Sequence, residues 1–547
     1  MRCHCLSANP VPPYFHVQDV PDQDKTVEAL FGKISTTTFS ARVPMTRHAT
    51  VYRDLFFILA SLMCWPTACH SQMLAGTAKV DITDYQAGPV HDPLYVKALV
   101  LKQADLQVAI VTVDAVAIGG IGRLKDRYLP TVRSAIHDKL GIPASNVLVN
   151  ASHCHGVVRG DTDELTIQAI QAAAENLMPV RVGVGAGHED RVGENRRLLM
   201  KDGREIDVRH AYSMPPDAEV AGVGPIDPQI GVLRLDRLSG QPLAVIYNYA
   251  CHPIQGVPSG ANTADLTGLA STVIEDNLGD GAMAFFLQGC GGDINPVFYK
   301  HVDQPRDAVT LGNLLALSTL KAVRSIETKA DSRLKWINEK LELPRADLAE
   351  KIIQQEQQQL ELARSLRGTT LSMKTFLPLV VKYRLSDQYP AYYSHRYLHE
   401  EKLGREELAA LDSRNLRDIE AYVSNVETME QLTRINTNLR LLRMHQKQNM
   451  EAPERTVSVE LIGCRIGDFV LTSFPGELTV QIGLNLKEKS PHDQTFVAGY
   501  TNGYIYYAPT TKQLANVGGA QEDSDCILAP QWQGIYEQKA LEILKQL

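Results

Sequence analysis

VKALVLKQADLQVAIVTVDAVAIGGIGRLKDRYLPTVRSAIHDKLGIPASNVLVNASHCHG, residues 96–156, holds most of what decides the fold. Val96 to Leu101 and Val108 to Val113 are near-continuous apolar runs that read as strands. A helical stretch from about Arg123 to Leu140 comes next, stopped by Gly141 and Pro143, and Asn146 to Ala151 returns to a strand. Strand, helix and strand in that order predict a sheet covered by helices. The order recurs downstream as LAVIYNYA (Leu243 to Ala250), a helical stretch around Asp265 to Leu278, and MAFFLQG (Met283 to Gly289). No repeat of fixed period accompanies it. Residues from about 345 to 445 are rich in Gln, Glu, Leu and Arg at helical spacing and read as an inserted helical subdomain whose charged runs form a solvated face. Strands TVSVELI and FVLTSF and a final helix complete the chain. The expected fold is α/β, with mixed sheets covered by helices in a single large domain over 72–547, interrupted by the insertion at about 345–445.

The composition is that of a globular protein: 44% hydrophobic and 22% charged residues, with 38 Gly and 28 Pro in 547 residues. With 55 Lys and Arg against 63 Asp and Glu, the formal charge of −8 leaves no positive surplus for a nucleic-acid backbone. Residues 1–44 lack periodicity. After them come Met45, the basic residues Arg47 and Arg53 with His48, and the apolar run Leu55 to Trp65, too short for the ~20 residues that span a bilayer. This is a signal-peptide pattern displaced inward. It predicts translation from Met45, a signal peptide over 45–71, no transmembrane span, and export to a periplasm or the medium, with Cys69 as an alternative lipid-attachment site. Of the nine Cys, Cys154, Cys251, Cys290, Cys464 and Cys526 lie in the mature chain without a CxxC pair and read as buried thiols.

Unusual polar residues gather where apolar strands end. NASHCHG places His153 and His155 two apart, so that an extended chain would point both rings to one side. NYACHP ends a strand in His252, and FPGE presents Glu477. YTNGYIYY supplies Tyr504, Tyr506 and Tyr507, and the Gly-rich turn QGCGGDINP carries Asp293 and Asn295. Each string taken singly also suits a structural role. Three His and a Glu together suggest a metal centre, because neutral imidazole and carboxylate suit Zn²⁺. No GxSxG nucleophile elbow is present, and HEEKL at His399 lacks the second His of HExxH. GVGAG at Gly183 and GGIG at Gly119 read as turns rather than dinucleotide loops.

Taken in order, AGTAKVDIT, NASHCHG, ENRRL, NYACHP, NTADLTG, GCGGDINP, FPGELT and YTNGYIYY resemble the segments of the neutral (non-lysosomal) ceramidase family, specifically its N-terminal catalytic domain without the C-terminal immunoglobulin-like domain. The resemblance implies one zinc held by His153, His252, Glu477 and Tyr507. It places His155 and Arg196 at the polar end of the substrate site, with Asp293 nearby. Where the family carries a Ser this chain has Asn295, which cannot form an acyl-enzyme.

Residues and resemblance together lead to the expectation of an exported, zinc-dependent hydrolase. Zinc-bound hydroxide attacks the amide of an N-acyl substrate, ceramide-like or other and small or lipid-like; His155 or Asp293 moves the proton, and Tyr507 with Arg196 stabilises the oxyanion. The alternatives are an esterase or deacylase acting on a non-lipid substrate, a zinc-binding exported protein without hydrolase activity, and an amidohydrolase barrel of eight strand–helix repeats.

Overall fold

The computed structural model describes residues 72–208, 215–257, 260–301, 306–384, 394–516 and 519–547. The start at Met45, the signal peptide over 45–71 and the lipid attachment at Cys69 fall outside the described residues. The described residues form one unit.

Eight strands, β1 (Leu74–Asp81), β2 (Tyr95–Gln103), β3 (Leu106–Val113), β4 (Val147–Ala151), β5 (Met178–His188), β6 (Gln229–Arg237), β7 (Pro242–Tyr249) and β8 (Met283–Gln288), make one sheet in the order β8-β7-β6-β5-β1-β2-β3-β4. Neighbours are antiparallel except for β3 with β4 and β7 with β8, which are parallel. Each parallel pair needs a crossover. Helix α1 (Tyr128–Leu140) supplies the first; α2 (Thr162–Glu175) comes after β4, and α3 (Asp265–Leu278) makes the second crossover. The halves β1–β4 and β5–β8 thus share one topology, a duplication carried by the order of elements.

The apolar runs are continuous because both faces of the sheet are covered. In β2, Val96, Ala98 and Val100 pack with α1 and α2, whereas Leu99 and Leu101 point the other way. In β7, Val245 and Tyr247 pack with α3 and with α4 (Val309–Ser325), whereas Ala244 and Ile246 face the opposite core. That opposite core is shared with a second sheet of β9 (Leu334–Pro344), β10 (Thr456–Ile466), β11 (Phe469–Ser473) and β12 (Thr495–Ala498), through Ile462, Cys464, Phe469, Leu471 and Phe496. Burying each such side chain is worth about 1.5–3 kcal/mol.

Strands β9 and β10 pair antiparallel from Leu334↔Ile466 to Pro344↔Thr456. The chain between them forms the helical insertion: α5 (Ala349–Ser365), α6 (Met373–Arg384), α7 (Ser394–Lys402) and the 45-residue α8 (Glu407–Glu451). After β11 comes α9 (Val480–Lys489), and α10 (Trp532–Gln546) closes the fold over the second sheet through Trp532, Tyr536 and Ile543.

Several sequence expectations change. Helix α1 starts at Tyr128 rather than Arg123, because the preceding turn is tied by Gly120 N–H to the Asp126 carboxylate. Its end is as read, with Gly141 left-handed at φ 69° and its N–H bonded to His137 O. GVGAG is not a turn but the middle of β5. A side chain at Gly183 or Gly185 would collide with Ile326, just past the end of α4, so glycine here permits close packing. The mostly antiparallel sheet also excludes the amidohydrolase barrel. Cys154, Cys251, Cys290, Cys464 and Cys526 are free and buried.

Candidate metal centre

The polar strings leave the carboxyl ends of parallel strands. NASHCHG comes after β4, NYACHP after β7, and GCGGDINP after β8; FPGE comes after β11 and YTNGYIYY after β12, and β11 is itself parallel to β12. In α/β sheets such ends are where loops build sites.

Three buried amides bring these ends together. Asn150 Oδ1 accepts from Gln288 N–H at 2.9 Å, joining the two edge strands β4 and β8. Its Nδ2 donates to Gly499 O and Thr501 Oγ1. Gln288 Nε2 reaches Ser152 O and Cys251 O, and Asn248 Nδ2 reaches Leu287 O and Val497 O. Each bond is between groups that would be costly to bury alone.

At the junction, His153 Nε2 lies 3.5 Å and His252 Nε2 3.1 Å from the same Glu477 oxygen, Oε2. The three side chains are buried, and their ligand atoms lie within 4.8 Å of one another. His153 Nδ1 bonds Val116 O at 2.6 Å, and His252 Nδ1 bonds Gly291 O at 2.6 Å and Ile294 O at 3.0 Å. Carbonyl oxygens only accept, so each Nδ1 carries a proton, and each ring turns its Nε2, the atom free to act as a ligand, towards the carboxylate. Burial, with His252 adding to it, pushes His153 down to about 4 against the pull of Glu477. The Glu477 carboxyl resists the upward push of burial: His153, His252 and the Tyr504 hydroxyl hold it well below the usual carboxylate range. Three electron-pair donors aimed at one place fit a divalent cation.

Tyr500 OH donates to Glu477 Oε2 at 3.1 Å and Tyr504 OH to Oε1 at 2.5 Å, which fixes the carboxylate. Glu477 pairs in register with Tyr507 in a short parallel ribbon, and the Tyr507 ring stacks on His252 with centroids 6.5 Å apart. His153 is left-handed, at φ 68°, held by its N–H on Ala115 O. The extended arrangement of His153 and His155 therefore does not form: His153 is buried, and His155 is exposed with its ring edge-on at 5.4 Å.

A pocket of about 250 Å³ opens over this cluster, lined among others by His153, His155, Arg196, His252, Glu477 and Tyr507. Arg196 is buried. It pairs with Glu522 at 2.6 Å, donates to Gly292 O and Asn295 Oδ1, and reaches the Tyr507 hydroxyl at 3.2 Å. Asp293 and Asn295 are not among the residues lining the pocket. Asp293 Oδ1 accepts Val480 N–H, and Oδ2 accepts from Asn195 and Gln513; burial pushes its carboxyl up.

No protein-family model and no curated protein matches the chain. Among solved structures, neutral ceramidase from Pseudomonas aeruginosa and a ceramidase complexed with C2 each align at TM-score 0.55 and 16% identity, over 87% of this chain and 75% of the other. The fold is ceramidase-like. Within this ceramidase-like fold, the residues that the sequence singles out as His153, His155, Arg196, His252, Glu477 and Tyr507 all reach one pocket. The sequence does not single out Tyr500, Glu522 or Asp525. Tyr500 merely opens the aromatic string. Glu522 and Asp525 sit in QEDSDC, whose acidic residues carry no spacing that points to a site.

Proposed function

We propose that the protein is an exported, zinc-dependent hydrolase that cleaves the amide of an N-acyl substrate. The observation that carries this reading is the convergence of two imidazole Nε2 atoms and one carboxylate in a pocket, in a ceramidase-like fold. His153, His252 and Glu477 would hold the ion, with Tyr507 as fourth ligand. The ion's contribution when bound is a more acidic water and a polarised carbonyl.

The chain's own residues do the rest. His155, exposed at the pocket, takes a proton from the attacking water and returns it to the leaving nitrogen. Asp293 is the poorer candidate, because its oxygens are engaged and it lies off the pocket lining; it positions the Arg196 segment, its carbonyl accepting the Arg196 N–H. Arg196, neutralised by Glu522 and aimed by Asn295, presents its guanidinium and the Tyr507 hydroxyl to the developing oxyanion. Asn295 thus acts through Arg196 and not as a nucleophile.

Metal analysis on the purified protein, combined with a panel of N-acyl lipids, sugar amides and simple esters, tests the reading. About one zinc per chain with amide cleavage supports it. Cleavage of esters alone replaces it with an esterase, and bound zinc without any hydrolysis replaces it with a metal-binding protein. No metal, or two ions per chain, removes its premise. N-terminal sequencing from the native host tests export: a chain beginning after about residue 69 supports it, and recovery of residues 1–44 on the exported form contradicts it.

A further inference from the structure

Helix α8 is polar along most of its length, yet at its base Ile435, Asn438, Leu439, Leu442, His445 and Asn449 are buried. Asn438, His445 and Asn449 recur at helical spacing, so they share one face. All three bond one segment of the catalytic domain. Asn438 Nδ2 donates to Gly519 O, His445 Nε2 lies 2.7 Å from Asp525 Oδ1, and Asn449 Nδ2 donates to Ile527 O. From α5, Lys351 Nζ adds a bond to Asp523 O. The insertion therefore grips residues 519–527 at four points. That segment carries Glu522, the partner of Arg196, and Asp525, which lines the pocket.

His445 is fully buried, whereas the Asp525 side chain is 15% exposed. The His445 ring also lies edge-on to Tyr506, with centroids 4.5 Å apart. A carboxylate that accepts a bond from behind and faces a pocket in front is fixed in direction and accepts only. The other charged groups of the pocket wall have partners of their own or lie at its mouth. Arg196 is paired with Glu522, Glu477 faces His153 and His252 and would be offset by a bound ion, and His155 lies at the exposed side.

We propose that Asp525 is a substrate-selecting carboxylate and that His445, reaching in from the insertion, is its positioning residue. Asp525 repels substrates carrying an anionic group beside the scissile amide and accepts neutral ones that offer a hydrogen-bond donor there. This rests on the amide-hydrolase reading for the site, and it assigns the helical insertion a part in specificity.

The test compares N-octanoylethanolamine with N-octanoylglycine, which differ in a terminal hydroxyl against a carboxylate. kcat and KM are measured on the metal-loaded protein, and calorimetric binding on the metal-free protein. Wild type should favour the ethanolamide at least about tenfold, mainly in KM. Asp525→Asn should shrink the preference below about threefold by gaining the glycine conjugate. His445→Ala should move the ratio the same way, and His445→Gln, which keeps a donor, should retain most of it. An Asp525→Asn ratio equal to wild type overturns the proposal. So does a His445→Ala variant that folds normally and keeps the wild-type ratio. If wild type hydrolyses neither probe, the wider panel decides the function and binding alone decides this inference: a Kd preference for the ethanolamide that Asp525→Asn removes supports it, and equal Kd values or no binding of either probe overturn it.

Discussion

The wall of buried side chains behind the pocket and the helical insertion use polar residues in opposite ways. In the wall they are buried and answered: Arg197 and Asp523, each 1% exposed, meet at 2.7 Å, and Asn150, Asn248 and Gln288 tie strand ends across the domain. Along the insertion they face water. Arg443 and Glu356 pair with side chains 57% and 46% exposed, and Lys447 with Glu451 at 74% and 68%. The same pairing chemistry therefore holds geometry in one region and mainly confers solubility in the other, because the cost of leaving a partner unmatched scales with its removal from water. The base of α8, through Asn438, His445 and Asn449, and Lys351 of α5 behave like the wall.

Removing a metal ligand should break the wall most severely. His252→Ala should lower bound metal from about one ion per chain to less than about a tenth. Activity should fall well beyond the roughly 10–100-fold expected on loss of a group supporting a ligand. Mass spectrometry of the native protein and the hydrolysis panel read both; full metal retention would show that the converging His–His–Glu set is structural.

Asp523→Ala leaves Arg197 buried beside fewer partners and should cost about 3–5 kcal/mol in urea unfolding. A cost below about 1 kcal/mol would mean that water enters the wall, and the contrast with the insertion would weaken.

A third measurement uses pH. Burial pushes Asp114, whose carboxylate accepts the Tyr95 N–H, up to about 6 against the pull of Lys97. A folded pKa above the unfolded ~3.9 gives stability that is complete below that unfolded value and is lost as pH rises through about 6. Asp114→Asn, which keeps an acceptor for Tyr95, should therefore gain on wild type between pH 4 and 7. The gain should be about 2 kcal/mol, less than the full shift because Asp114 retains some contact with water. A constant difference across that range contradicts the assignment.

Asn295→Ala should reduce kcat by about tenfold with the metal retained, since it loosens Arg196 without touching a ligand. Asn295→Ser should recover part of the loss and should trap no covalent acyl adduct in intact-mass analysis; a stable adduct on wild type would point to a side-chain nucleophile. At the far end of the scale, Arg443→Ala should change stability by less than about 0.5 kcal/mol. A larger effect would make the insertion resemble the wall.

The apolar runs and their stops determined β2, β3, β4, β7, β8, β10 and β11, α3 to the residue, and the helical character of the insertion, but they do not mark β5, β6, β9 or β12. Periodicity and local punctuation are properties of neighbouring residues. The same pattern marked His153, His252 and Glu477, because an apolar strand ending in a ligand-type residue is visible along the chain. Tertiary structure alone decided that these ends meet. The duplicated halves curl until β4 touches β8, and the contacts that hold them, such as Asn150 with Gln288, join residues far apart in the chain. It also decided that GVGAG lies in a strand, since Ile326 against Gly183 is a distant packing constraint that a glycine string shares with any turn. The left-handed turn at His153, the Tyr500 and Tyr504 bonds to Glu477, and the His445–Asp525 pair are of the same kind. Each depends on which distant backbone groups and side chains arrive at one place, and local sequence pattern does not carry that.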